Sequence, residues 1–212
     1  MAKEINVHQI FQKSFQVFFK KPLLLVIFIL PILLSLVMFL ISFPLLAFSM
    51  YPVYLPAILL SLVMIVFALW LAMVGTGGVI LSVEKIIKNQ TVKFSKVLDE
   101  SIRNSVRLSI SYSLEQIFLM IGLIFFIIPG MFLAVRLSLV IPGCILEKKG
   151  YGIKRSWNTT KGNFWKIFLI LVIWNAGFVI IGILPYVSII NILLLPVYLT
   201  TLTILYIQLR KG

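Results

Sequence analysis

From Pro22 to Val83 the chain carries no charged residue. A helix that crosses the hydrocarbon core of a bilayer needs about 20 consecutive apolar residues, and this stretch is long enough for two. Further apolar runs follow it. Of 212 residues, 61% are hydrophobic and only 12% are charged, against roughly a quarter charged in a soluble domain. Such a chain cannot cover its own surface with polar groups in water. The runs are continuous rather than alternating, which excludes a transmembrane barrel. The fold class that follows is all-α, a polytopic membrane protein.

Six spans are predicted, at residues 22–43, 56–82, 106–128, 131–147, 165–184 and 186–208, within a single integral membrane domain covering 1–212. The first run is too long for a signal-peptide core and no small-x-small site follows it, so it reads as an uncleaved span. Pro31 and Pro196 fall inside spans and are expected to kink them. Lys and Arg gather in alternate loops: at Lys3, Lys13, Lys20 and Lys21, between Lys85 and Arg107, between Lys148 and Lys166, and at Arg210 and Lys211. The loops "FPLLAFSMYPVYLP", "IIPGM" and "ILPYVSI" carry no charge. Of the 19 basic residues, Arg136 alone breaks this segregation. The positive-inside rule then places both termini in the cytoplasm, and the reading is a plasma-membrane protein of a prokaryote. Asn89 and Asn158 open N-x-Thr sequons, but both lie in loops expected to face the cytoplasm, where glycosylation does not occur.

Each cytoplasmic segment reads as an amphipathic interfacial helix, at about 5–20, 83–105 and 150–163, that leads into an outgoing span. A short pattern recurs within them: Phe11-x-x-Ser14-Phe15, Leu98-x-x-Ser101-Ile102 and Ile153-x-x-Ser156-Trp157. Three hairpins, each preceded by an interfacial helix, are therefore expected. The third segment, "YGIKRSWNTTKGNFWKIF", with the lysine pair just before it, supplies Lys148, Lys149, Lys154, Arg155, Trp157, Lys161 and Trp165 as candidate contacts for anionic lipid headgroups. Trp suits the headgroup layer, and each basic residue near the surface contributes roughly 1 kcal/mol of attraction.

Two ionisable residues lie within spans, Glu115 and Arg136, and an intramembrane charge is by default a functional candidate. Ser109, Tyr112, Ser113 and Gln116 share a helical face, with Ser111 and Glu115 beside it. That polar face must point into the bundle or a wet cavity. Measured from Pro129-Gly130, Glu115 lies roughly 21 Å deep and Arg136 roughly 9 Å at ~1.5 Å per residue. Direct pairing therefore needs stretched side chains, tilt or water, and Arg136 is alternatively expected to cap carbonyls near Pro129 or Pro142 or to snorkel outward. The small residues Ala68, Ala72, Thr76, Gly75, Gly77 and Gly78 are expected to let helices approach closely, as are Gly177 and Gly182. Asn175 and Asn191 are expected to bond across helices.

No catalytic signature is present. His8 is the one histidine, Cys144 the one cysteine, and the six acidic residues are too scattered for a metal site. No cofactor, metal or nucleic-acid partner is expected, because the basic residues lie where topology demands them.

The run "IPGMFLAVRLSLVIPGCILEKKGYGIKRSWNTTKGNFWKIF" (residues 128–168) resembles the membrane domain of glycerophosphoryl diester phosphodiesterase and its stand-alone relatives in bacteria and archaea. The resemblance rests on Pro129-Gly130, Arg136, Glu147, the "RSW" at 155–157 and Gly162. It implies a small helical bundle and does not imply phosphodiesterase activity, since the catalytic acids and histidines of the fused enzymes belong to a separate soluble barrel. The expected function is that of a non-enzymatic membrane protein whose basic cytoplasmic face contacts anionic lipid or organises a protein partner or second copy. The alternatives are a small transporter or channel component built on the polar face around Glu115, and a lipid-processing enzyme with an unrecognised site.

Overall fold

The structure is a computed structural model and describes residues 6–20, 23–48, 55–125, 127–147, 150–183 and 189–210. These form the helices α1 (Val7–Lys20), α2 (Leu23–Phe48), α3 (Leu55–Ile87), α4 (Phe94–Phe125), α5 (Ile127–Leu137), α6 (Val140–Glu147), α7 (Ile153–Thr159), α8 (Phe164–Gly182) and α9 (Ile189–Arg210), with no strand among the described residues. Five of the helical stretches are long and apolar enough to cross a membrane: Ile58–Ile87, Phe94–Ile124, Ile127–Glu147, Phe164–Gly182 and Leu193–Arg210. Val26–Ser42 is a shorter apolar helix. The protein is an integral membrane protein.

Three element boundaries differ from the sequence reading. The predicted interfacial helix at 83–105 does not exist as one element. Its first residues complete α3, residues 88–93 form the connection, and the remainder is the start of α4, continuous with the third span. Nothing between Phe94 and Phe125 breaks the helix: the stretch holds no Pro and no Gly before Gly122, so the backbone hydrogen bonds run on. The fourth span begins at Ile127 rather than 131, with Pro129 and Gly130 in the opening turn of α5. Proline is tolerated there because the first N–H groups of a helix lack intrahelical partners. Gly130 instead serves close packing, since a Cβ on it would meet the backbone nitrogen of Leu123 at 3.2 Å. The same span is broken at Ser138–Leu139 into α5 and α6. Pro31 and Pro196 both lie inside continuous helices, α2 and α9.

The core is dominated by aliphatic side chains of α3, α6, α8 and α9, with Ile10 and Phe18 of α1 against them. Gly78 lets α3 and α2 meet closely, because a Cβ there would stand 2.5 Å from Ile27 Cγ2. Gly177 does no such work: a Cβ on it would meet nothing within 4 Å. The expected small-residue contact on α8 is therefore absent at that position. Asn191 bonds across helices as expected, donating to the Phe178 carbonyl at 3.2 Å. Asn175 does not, and donates within α8 to the Leu171 carbonyl at 2.8 Å.

The recurring serine pattern has a consistent structural signature. Ser14, Ser101 and Ser156 are 0%, 1% and 0% exposed, while the residues that follow them, Phe15, Ile102 and Trp157, are 38%, 40% and 39% exposed. The serines, not the aromatic or aliphatic neighbours, occupy the inward stripe. Each hydroxyl is satisfied. Ser14 bonds the Ile10 carbonyl one turn back, Ser101 the Val74 carbonyl of α3, and Ser156 the Arg136 carbonyl of α5. Burying a hydroxyl without a partner costs about 1–3 kcal/mol, so a serine at these positions demands such an acceptor.

Candidate functional site

Two carboxylates sit inside the bundle. Glu147 ends α6 and gathers three partners. The Tyr206 hydroxyl donates a short hydrogen bond to Oε1, Arg155 Nε stands 2.5 Å from Oε2, and Arg210 Nε stands 3.7 Å from Oε1. This knot joins α6, α7 and α9. Two further ion pairs, Lys85–Glu100 at 3.3 Å and Lys88–Glu84 at 2.6 Å, flank the α3–α4 connection.

Glu115 is different. It is 8% exposed, and its Oε2 is buried without a hydrogen-bond partner. It lines an internal cavity of about 430 Å³. The walls come from almost every long helix: Ile32 of α2, Ala72, Met73 and Thr76 of α3, Tyr112, Gln116 and Leu119 of α4, Leu171 and Asn175 of α8, and Leu195, Tyr198 and Leu202 of α9. Ala134, Ser138 and Ile141 close it from the broken fourth span. Thr76 and Ser138 spend their hydroxyl protons on carbonyls of their own helices, Ala72 at 3.0 Å and Val135 at 2.9 Å. Among the described residues, no lysine, arginine or histidine lines the cavity. Behind Tyr198 its ring meets Trp174 and Phe178 edge-on, each at 5.8 Å, and Trp174 stacks on Phe11 of α1 at 5.7 Å. One wall is thus fixed by an aromatic stack that runs to the N-terminal helix.

The break in the fourth span is itself sealed. Leu139 N–H has no helical partner across the interruption and donates to Ser156 Oγ at 3.1 Å, while that hydroxyl donates to the Arg136 carbonyl at 2.6 Å. Gly152, at φ 78°, permits the chain to double back, and any Cβ there would strike the Val140 carbonyl. Only glycine adopts this left-handed backbone without cost.

The polar face expected on α4 divides. Tyr112, Glu115 and Gln116 reach the cavity, while Ser109 and Ser113 do not line it. Ser111 turns to the far side, bonding the Arg107 carbonyl and Cys144 Sγ at 3.0 Å. Arg136 stays away from Glu115, and no ion pair joins them among the described residues. Its guanidinium lies 5.1 Å from the Phe132 ring and 5.4 Å from the Trp157 ring, with longer contacts of 3.4 Å to the Trp157 carbonyl and Thr160 hydroxyl. The carbonyls it was expected to cap near Pro129 or Pro142 are not its partners. Of the candidate headgroup residues, Lys154, Lys161 and Trp165 are exposed and Trp157 is half-exposed. Arg155 is held by Glu147. Lys148 and Lys149 lie outside the described residues.

Tyr198, Asn175, Thr76 and Ser138 went unrecognised as cavity residues. Each is a polar side chain in an apolar run, the one signal that marked them, but nothing in the spacing says that α3, α8, α9 and the break in the fourth span bring them to a common cavity.

No curated protein and no solved structure gives a significant match to the chain. Residues 110–209 match the family described as the membrane domain of glycerophosphoryl diester phosphodiesterase, a range that contains the run quoted above and extends it through α9.

Proposed function

We propose that the protein is a small carrier or channel component that admits a small solute to the interior of its helical bundle. The observation that carries this reading is the 430 Å³ cavity around a buried carboxylate with an unpartnered oxygen. Its volume falls in the range of about 300–1,000 Å³ typical of ligand pockets, and an uncompensated carboxylate in a bilayer is expensive unless it serves a passing or bound species. In this reading the six spans form three hairpins with both termini in the cytoplasm of a prokaryotic cell. The test is accessibility from water. In a Cys144→Ala background, Gln116→Cys on α4 and Ala134→Cys on α5 are treated with a small water-soluble methanethiosulfonate in membrane vesicles. Labelling at both positions is expected. Failure at both sinks the carrier reading.

A second reading concerns anchoring rather than passage. Trp165 is 76% exposed next to the exposed Lys161 and Lys166, which favours contact with anionic headgroups on the basic face. Lys154→Gln with Lys161→Gln is expected to weaken flotation with phosphatidylglycerol vesicles relative to phosphatidylcholine. Equal flotation with both lipids in the unaltered protein contradicts it.

A further inference from the structure

We infer that the cavity binds an organic monocation, an ammonium carrying an apolar body, with Glu115 as its counter-ion. This rests on the carrier reading and names the chemical class of the solute. Three features of the cavity select that class. Glu115 is the one carboxyl group among the described lining residues, which include no lysine, arginine or histidine, so a ligand that brings a positive charge meets a single acidic group there. A buried carboxylate oxygen with no donor in reach gains most from a ligand that brings both a positive charge and an N–H or a close alkylammonium shell. Tyr112 and Tyr198 lie on the same lining, and aromatic rings attract a desolvated cation placed over their faces.

The remaining walls separate an organic cation from an inorganic one. Hard metal cations take six or more oxygen ligands at short distance. Here the wall is mainly aliphatic, with Met73, Leu171 and Leu202 among its members. Among the described residues no three acidic, histidine or cysteine side chains cluster. One carboxylate in an apolar chamber fits a cation whose charge is already wrapped in carbon. An anionic or zwitterionic solute of the same size would place its negative group against Glu115 or in hydrocarbon, and no basic residue on the lining receives it.

The experiment uses the full chain in nanodiscs and reads the thermal unfolding midpoint as ligand is titrated. The probes are tetraethylammonium, the neutral triethylphosphine oxide, the anion triethylacetate and sodium ion, all at constant ionic strength. A saturable rise in midpoint with tetraethylammonium alone is expected, and Glu115→Gln should raise its half-saturating concentration by at least about tenfold. As a second readout, tetraethylammonium should slow methanethiosulfonate labelling of Gln116→Cys while Glu115 is intact, which needs no altered carboxylate. The inference is overturned if triethylphosphine oxide or sodium acts as strongly as tetraethylammonium, if Glu115→Gln binds the cation unchanged, or if the cation neither shifts the midpoint nor slows labelling. Where Gln116→Cys and Ala134→Cys still label, these results remove the cation and leave the carrier reading standing. Where neither position labels, the carrier reading itself has failed.

Discussion

Glu147 and Glu115 are the same side chain in one bundle, held in opposite ways. Glu147 has a tyrosine hydroxyl and two guanidinium groups around it, contributed by α7 and α9. Glu115, more deeply buried, lines the cavity, and its Oε2 has no hydrogen-bond donor among the described residues. Desolvating a carboxylate costs several kcal/mol in either place. At Glu147 the cost is offset within the chain, so the residue works as a structural tie. At Glu115 it is not, so the folded protein retains an unmet demand for positive charge. A mutation at the first site should therefore act on stability, and one at the second on binding.

The largest effect that sharpens this contrast is expected for Glu147→Gln. It removes the carboxylate that Tyr206, Arg155 and Arg210 share, and about 2–3 kcal/mol should be lost, less than for a fully buried pair because the side chains remain partly exposed. Detergent-titrated unfolding with a tryptophan readout measures it. Ser156→Ala should follow at about 1–2 kcal/mol, since it orphans both the Leu139 N–H and the Arg136 carbonyl at the break in the fourth span. Ser14→Ala, by contrast, loses only a bond within its own helix. The same unfolding assay should rank it well below Ser156→Ala. Arg210→Gln, whose pair with Glu147 is long and half-exposed, should cost no more than about 0.5 kcal/mol. Smallest of all is Glu115→Gln, within about 0.5 kcal/mol of the unaltered protein or slightly more stable, because no internal bond is broken. If Glu115→Gln destabilises as strongly as Glu147→Gln, the contrast between the two acids is lost.

How far the sequence foretold this arrangement depends on the kind of information required. Charge-free runs between basic loops sufficed for the membrane class and for the approximate positions of the five long apolar helices, because the bilayer imposes a one-dimensional length rule. The serine pattern was visible as a repeat, but its polar residue was not legible as the buried one. That follows from a carbonyl contributed by a helix 20 or 27 residues away, for Ser156 and Ser101 respectively. The depth difference rightly separated Arg136 from Glu115, but its actual partners were not legible: α7 folds back against the α5–α6 break and brings the Trp157 ring to the guanidinium. Glu115 was legible as an anomaly, since a lone acid in an apolar helix stands out on any scale. Its emptiness was not, because a missing partner becomes visible only when every neighbouring helix is in place. Glu147 was noted only as part of a resemblance, and its partners Tyr206 and Arg210 lie some 60 residues downstream, with Tyr206 separated from it by 59 positions.

The most direct measurement is infrared difference spectroscopy of the protein in nanodiscs on adding tetraethylammonium. One carboxyl stretch should change on binding, and that change should be missing from Glu115→Gln and present in Glu147→Gln. A spectrum in which Glu115→Gln leaves the cation-induced change intact, or in which the cation perturbs no carboxyl group, would contradict the role assigned to the buried acid.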